Sequence, residues 1–357
     1  MTASLIHNAI LKYTLICCWI LTAIIGYHGF FKNHELLTIP LLNLELPWLL
    51  TLVTAVIMFT TAILAVFSPP ATGTYLYVIS LLSYLIICIG DIHRVTPYMI
   101  VFYGIFTCFT FLKNDRHIFY TALIFILSGV YLFSGLHKFN TGFIEDIAPL
   151  FYFNSLPVSY NPTIGYAMAA CETLLGLLLL FKSTRKIAAT LLITMHLIII
   201  WKLSPLKYGW NYIVIPWNLI MMVSHLYILK QSSTSRFKIG SRSAVFIGLA
   251  ICFWAVPAMS QFLPIPENVS QKLYSGKSIA GYISFFKKEE HFKDMDLNKD
   301  PETTLISLQQ LSMEQRGIGF NPELKYYEAV YIRFCENYSS TNQLHFEMPH
   351  EIIKNLP

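Results

Sequence analysis

Lys138, preceded by His137, closes a long apolar stretch within the segment Val130 to Glu145, and it is the residue best placed to do chemistry. An ionisable group at the edge of a hydrocarbon layer is costly, so by default it points to function. Desolvation disfavours an ammonium and lowers its pKa, which would let Lys138 act as a general base. The competing reading is a snorkelling lysine whose head reaches the headgroup layer from a helix end. The connection from Lys138 to Pro162 is 25 residues long, too long for a tight helix hairpin. It carries Phe139, Phe143, Phe151, Tyr152 and Phe153, aromatics suited to a cover at a membrane interface.

Three further polar residues lie deep within apolar windows. Glu172, His196 and Asn218 stand nine, nine and ten residues from the starts of theirs. At about 1.5 Å per residue each is roughly 14 Å from a face, near the midplane. The short connection between the first two windows makes them antiparallel neighbours, so Glu172 and His196 could meet. Two readings stand for that pair. One is proton handling or ligand orientation; the other is an interhelical hydrogen bond that fixes packing, helped by Ala169, Ala170 and Gly176. Asn218, two residues after Pro216, is suited to satisfy backbone groups that the proline frees. In the knot "DIHRVTP", Asp91 and Arg94 are suited to pair. His93 is either a second site group on the face of Lys138 or part of a solvated interfacial loop.

The elements that must position these residues are membrane helices. Hydrophobic residues make up 55% of the 357, charged residues only 13%, against roughly a quarter in soluble domains. Mean hydropathy is +0.54. Nine windows are long and apolar enough to cross a bilayer: 14–31, 48–67, 74–90, 97–112, 117–137, 163–181, 187–203, 208–229 and 243–263. Lysine and arginine in the short connections divide ten against five between the two sides. That bias places the N-terminus inside and everything after Leu263 outside, with Lys138 on the outer face. The net charge of +5 is then topogenic and gives no ground for a nucleic-acid partner. Six of the seven cysteines lie in apolar windows, where they behave as small hydrophobes, so no metal site and no disulfide is expected.

Beyond Pro264-Ile265-Pro266 the charge rises and the apolar runs shorten. Residues 264–357 read as a small extracytoplasmic domain, mainly helical, after a transmembrane domain over 1–263. One helix is expected over Glu302 to Gln315. Another follows Asn321 as N-cap and Pro322 at its first position, with Tyr327, Val330, Tyr331, Phe334 and Tyr338 sharing a face. The fold class expected is an all-α polytopic bundle of about nine helices carrying this tail.

The stretch "GVYLFSGLHKFNTGFIED" resembles the motif of the vitamin K-dependent gamma-carboxylase-like proteins, the horizontally transferred transmembrane domain (HTTM) family, in Gly135, His137-Lys138, Phe139 and Ile144-Glu145. The resemblance extends over roughly residues 10–230. It implies Lys138 as base on a quinol cofactor, reduced vitamin K or menaquinol, with His93 and His137 orienting substrate and Glu172 with His196 supporting from below. His137 departs from the motif, where true carboxylases have a second lysine, and about 95 tail residues leave no room for a large glutamate-binding region. Both departures speak against peptide carboxylation. "YLFSGLHKF", "CETLLGLLLLF", "STRKIAATLL" and "MH" also resemble the DoxX and MauE type of small membrane proteins, linked to quinone or thiol redox systems, over a core at about 117–229.

Two function classes follow. One is a quinol-dependent enzyme opening outward, which predicts a pocket joining Lys138 to the level of Glu172. The other is a non-catalytic DoxX-like scaffold or accessory subunit of a redox system that presents its tail to an exterior partner. The expected partners are the lipid bilayer, a quinone, and a small-molecule or protein substrate at the exterior face. The expected location is a bacterial inner membrane rather than a eukaryotic endomembrane.

Overall fold

In the computed structural model the chain is described over residues 3–41, 44–152, 159–206, 211–230, 243–263, 265, 269–270, 280–285, 289–297, 303–319, 324–338 and 341–347. Proline and cap residues set where its helices begin. Helix α1 is Ala3–Ile25, and α2, Trp48–Phe67, starts directly after Pro47. Pro70, Pro97 and Pro162 open α3 (Pro70–Gly90), α4 (Pro97–Thr107, continued by a π turn to Leu112) and α6 (Pro162–Leu178). At a first helical position a proline loses no hydrogen bond. Helix α5, Arg116–His137, is capped by Asp115, whose carboxylate accepts from the His117 and Ile118 N–H groups, each at 3.0 Å. Helices α7 (Arg185–Leu203), α8 (Val214–Lys230) and α9 (Ser243–Met259, with a π turn at Ile251–Ala255) complete the set.

Five of these helices are long and apolar enough to cross a membrane, and four shorter apolar ones accompany them, nine among the described residues. They are the nine expected. The first starts earlier than its window, because three polar residues, His7, Asn8 and Lys12, hide its opening turns from a hydropathy reading. Helix α5 is the hub: 72% of its most apolar window is buried, against 33% for α1 and α7. Its neighbours cover it with Phe106, Phe109, Met221 and Phe253, while the outer helices turn Leu49, Val53, Leu82 and Leu191 outward. Apolar side chains facing out all round are what a lipid environment accepts. The chain is an integral membrane protein of all-α class.

The tail adds a three-stranded antiparallel sheet to its two expected helices. Strands β1 (Ala280–Phe285), β2 (Thr304–Ser307) and β3 (Thr341–Glu347) run in the order β2-β1-β3, with Ile283 opposite Ile306 and Leu344. The helix expected over Glu302 to Gln315 is therefore a strand followed by α10, Leu308–Arg316. Thr304 and Ile306 are buried on one side of β2 and Leu305 and Ser307 are not, a period of two that fits a sheet. Ser307 then caps α10, accepting from the Gln310 N–H at 3.3 Å, and Gly317 ends it with a left-handed φ of 66°. Helix α11, Leu324–Asn337, lays Tyr327, Val330 and Phe334 onto the sheet. The proposed cap at Asn321 and Pro322 lies outside the described residues.

This tail does not complete its core alone. Leu37, Ile39 and Ile92, from the connections before α2 and α4, join Ile283, Phe285, Phe292, Ile306 and Phe334 in one apolar cluster. Beside it lies a buried ionic knot. Arg316 donates to the Asp91 carboxylate and, at 3.0 Å, to the Leu37 carbonyl, while Arg94 stands 3.6 Å from the same carboxylate. Arg94 also donates to the carbonyls of Gly29, Ile87 and Lys32, so it staples three stretches of chain. The fit is close enough that a Cβ on Gly29 would lie 2.8 Å from the Arg316 carbonyl oxygen. The tail and both connections thus share one face of the bundle.

Burial opposes ionisation of Asp91, yet the guanidiniums of Arg316 and Arg94 outweigh it and hold the carboxyl below its usual value. His93 is driven the other way in charge: burial pushes it down to about 3, with the two arginines adding to the effect of burial and Asp91 opposing it. A depressed value in the folded state means stability that is complete above the ordinary 6.5 and falls as pH drops towards about 3. Acidification through that range should weaken docking, because protonating His93 places a charge in its buried site beside the two arginines. Limited proteolysis at stepped pH should show the tail cut progressively faster below about 6.5 while the bundle stays intact. Arg316→Met should do the same at neutral pH, destabilising by about 3 kcal/mol, because it strips a buried carboxylate of its nearer partner.

Candidate functional site

Close approach of α5 and α6 builds the site. A Cβ on Gly176 would lie 2.5 Å from the Leu132 nitrogen, and one on Gly135 would lie 2.5 Å from the Thr173 nitrogen. Ser128 seals the contact by donating to the Gly176 carbonyl at 2.5 Å. Small residues that let two backbones touch are a common device between membrane helices. Here they bring Glu172 beside the last turn of α5. Lys138, the C-cap of that helix, donates to the Glu172 carboxylate and to Ser134 Oγ at 3.2 Å.

The two side chains of this ion pair are only 11% and 12% exposed. Lys138 therefore does not point into bulk water, and it contacts Glu172 directly. The connection after α5 folds back over the pair. Asn140 donates to the His137 carbonyl at 2.8 Å and accepts from the Phe143 N–H at 3.0 Å, which turns the chain at once. Phe143 then lies with its ring 5.6 Å from the Lys138 ammonium, a cation–π contact. Of the expected aromatic cover, Phe143 touches the lysine, Phe139 stacks towards Tyr166 and Tyr152 towards Tyr160. Phe153 lies outside the described residues.

A second polar layer sits one to two turns deeper on the same face of α5. Tyr131, Ser134 and Lys138 are spaced three and four residues apart, so they line one side of the helix, about 10 Å from first to last. The Tyr131 hydroxyl is 2.5 Å from His196 Nε2, and His196 Nδ1 is 2.6 Å from Asn218 Oδ1. Asn218 gives its amide N–H to the Val214 carbonyl at 2.8 Å, which leaves its oxygen for His196. The partners therefore assign the hydrogen to His196 Nδ1, with Nε2 accepting from Tyr131. All three side chains are buried. His225 lies against them, its ring 5.3 Å from that of Tyr131 and 6.0 Å from that of His196.

Sequence-based expectations fare differently residue by residue. Glu172 and His196 are not each other's partners: Glu172 takes Lys138 and His196 takes Tyr131 and Asn218. Asn218 donates to the Val214 carbonyl, not to that of Tyr212 which Pro216 frees, and bridges to His196 as well. His137 points away from Lys138 to the end of α9, 3.0 Å from both Ser260 Oγ and Gln261 Nε2. His93 belongs to the ionic knot under the tail, edge-on to Tyr326 at 5.8 Å. Tyr131, Ser134 and Asn140 were missed; a search of the Lys138 helix face at steps of three and four would have found the first two. Among the described residues no group of three His, Cys, Asp or Glu side chains is clustered as metal ligands would be.

These features define a polytopic integral membrane protein with an ion pair held between the apolar helices α5 and α6. The family model of the methylamine utilisation protein MauE matches residues 116–213, from the start of α5 to the approach to α8. That stretch, a little over a quarter of the chain, contains Lys138, Glu172 and His196 and stops short of Asn218. No curated protein and no solved structure matches the chain. The comparisons do not support the carboxylase-like resemblance.

Removing one partner of a largely buried pair leaves the other charge uncompensated, a cost of about 3 kcal/mol or more. Lys138→Met and Glu172→Gln should each lower thermal stability in detergent by that order, whereas the double variant should recover most of the loss. Additive losses in such a double-mutant cycle would show that the pair is not coupled.

Proposed function

We propose that this protein is a membrane-embedded accessory subunit of a redox system, in which the Lys138–Glu172 pair handles protons at the face that carries the tail. The observation that carries this reading is the stacking of that pair on the Tyr131, His196 and Asn218 chain within the stretch similar to MauE. Buried titratable groups inside a spanning bundle are costly, and proton relays are among the uses that retain them. The charge bias of the connections supports an extracytoplasmic assignment for that face.

A quinol bound near Lys138 is the second reading, favoured by the Phe143 ring over the ammonium. An ammonium held by a carboxylate is a proton donor; for Lys138 to act as base, the pair must first open. Peptide carboxylation forms no part of the proposal.

The deciding experiment purifies the protein from its native membrane with whatever it assembles with, and follows quinone reduction by that assembly. Lys138→Met and Glu172→Gln should leave assembly intact and reduce turnover at least tenfold, with a shifted pH profile. Unchanged turnover and pH profile in both variants would sink the proton-handling role. Bound quinone lost from Lys138→Met alone would favour the second reading.

A further inference from the structure

A cavity of about 280 Å³ opens at the opposite face, where α3 begins, α4 ends and α9 starts. Its lining includes Pro70 and Thr74 from the first two turns of α3, and Thr110, Lys113 and Asn114 from the end of α4. Three features converge there. The N-terminal end of the 21-residue α3 lies there with the positive end of its dipole, while Pro70 has no N–H and Gly73 gives its own to the Pro69 carbonyl at 2.7 Å. Lys113 brings a full positive charge. It gives hydrogens to the Ser68 carbonyl at 2.7 Å and the Val66 carbonyl at 3.3 Å, which leaves a third N–H for another acceptor. Thr110 is 3% exposed, lines the cavity, and its hydroxyl has no hydrogen-bond partner among the described residues.

The local charge lacks an anion. Among the described residues Lys113 has no carboxylate partner, and the Lys12 ammonium is close enough to repel it; burial first and Lys12 second hold its pKa below the usual 10.5. Asp115, the nearest carboxylate in sequence, has one oxygen committed to the His117 and Ile118 N–H groups in the first turn of α5. Thr74 is turned inward to the Pro70 carbonyl at 2.9 Å and keeps lone pairs rather than its hydrogen for the cavity. An unpartnered hydroxyl and an ammonium beside the positive end of a helix dipole suit a multi-oxygen anion. Phe111 and Val245 on the walls add apolar contact beside those donors.

We propose that this cavity binds a phosphate group, supplied by the headgroup of an anionic membrane lipid. The site lies at the ends of three apolar helices, so a lipid phosphate reaches it with its acyl chains still in the hydrocarbon layer. This inference is independent of the redox reading and of the Lys138 pair.

The test uses the full chain in neutral detergent with two probes, phosphatidylglycerol and inorganic phosphate, each titrated while bound lipid is counted by native mass spectrometry and thermal stability is followed. Phosphatidylglycerol should bind saturably and raise stability. Thr110→Val should weaken it about tenfold and Lys113→Met more, while Lys113→Arg should retain binding. Thr110→Val keeps the side-chain shape, so it reports on the hydroxyl even if Lys113→Met is poorly folded. Inorganic phosphate that binds alone with the same variant pattern, without lipid binding, would keep the phosphate site and overturn the lipid source. Binding of neither probe, or lipid binding unchanged in Thr110→Val and Lys113→Met, would overturn the proposal.

Discussion

A carboxylate set among spanning helices must have its charge met from within the protein, and Lys138 meets that of Glu172. Much of the surrounding architecture is explained by this demand. The lysine has to sit at the end of α5 and the glutamate well inside α6, so the two helices must be offset and nearly touching. Gly135, Gly176 and Ser128 allow that approach. Asn140 then turns the chain so that Phe143 covers the cation rather than leaving it to water. The deeper Tyr131, His196 and Asn218 chain is neutral and internally satisfied, which lets it lie behind the pair without a second charge to compensate.

The tail obeys the same rule by another route. Asp91 is fully buried between two arginines, Arg94 three residues along the chain and Arg316 inside the tail itself, so its charge is shared between bundle and tail. Together with Leu37, Ile39 and Ile92 it converts the outer connections from loops into part of a folded layer. The appended segment is thus held by both an apolar core and an ionic knot, and neither is complete without the bundle.

Most of the bundle was legible in the sequence because membrane helices announce themselves through length and apolarity, a signal that needs no tertiary knowledge. The positions of Lys138 and Glu172 were legible for the same reason: charge stands out against such a background. Their pairing was not. Counting residues from each helix start placed Glu172 level with His196, whereas the offset between α5 and α6 is set by which small residues touch, and periodicity does not encode that. His137 and His93 were drawn to Lys138 by adjacency or by sharing a face. A helix, however, sends consecutive side chains about 100° apart, and His93 found its neighbours in a segment more than two hundred residues later. The strand at Thr304–Ser307 was overlooked because four residues followed at once by a helix give too short an alternation to outweigh the helical pattern after it.

The ionic knot also sets an order of events. Asp91 and Arg316 are 225 residues apart in the chain, so at roughly 5–20 residues per second the carboxylate waits on the order of 10–45 s of synthesis for its second arginine. Throughout that interval Leu37, Ile39 and Ile92 have no tail to cover them, and the outer face of the newly inserted bundle is sticky. Closure of the knot therefore waits for synthesis of the tail, and a chain cut short before Arg316 would keep an open, apolar patch beside a half-paired acid.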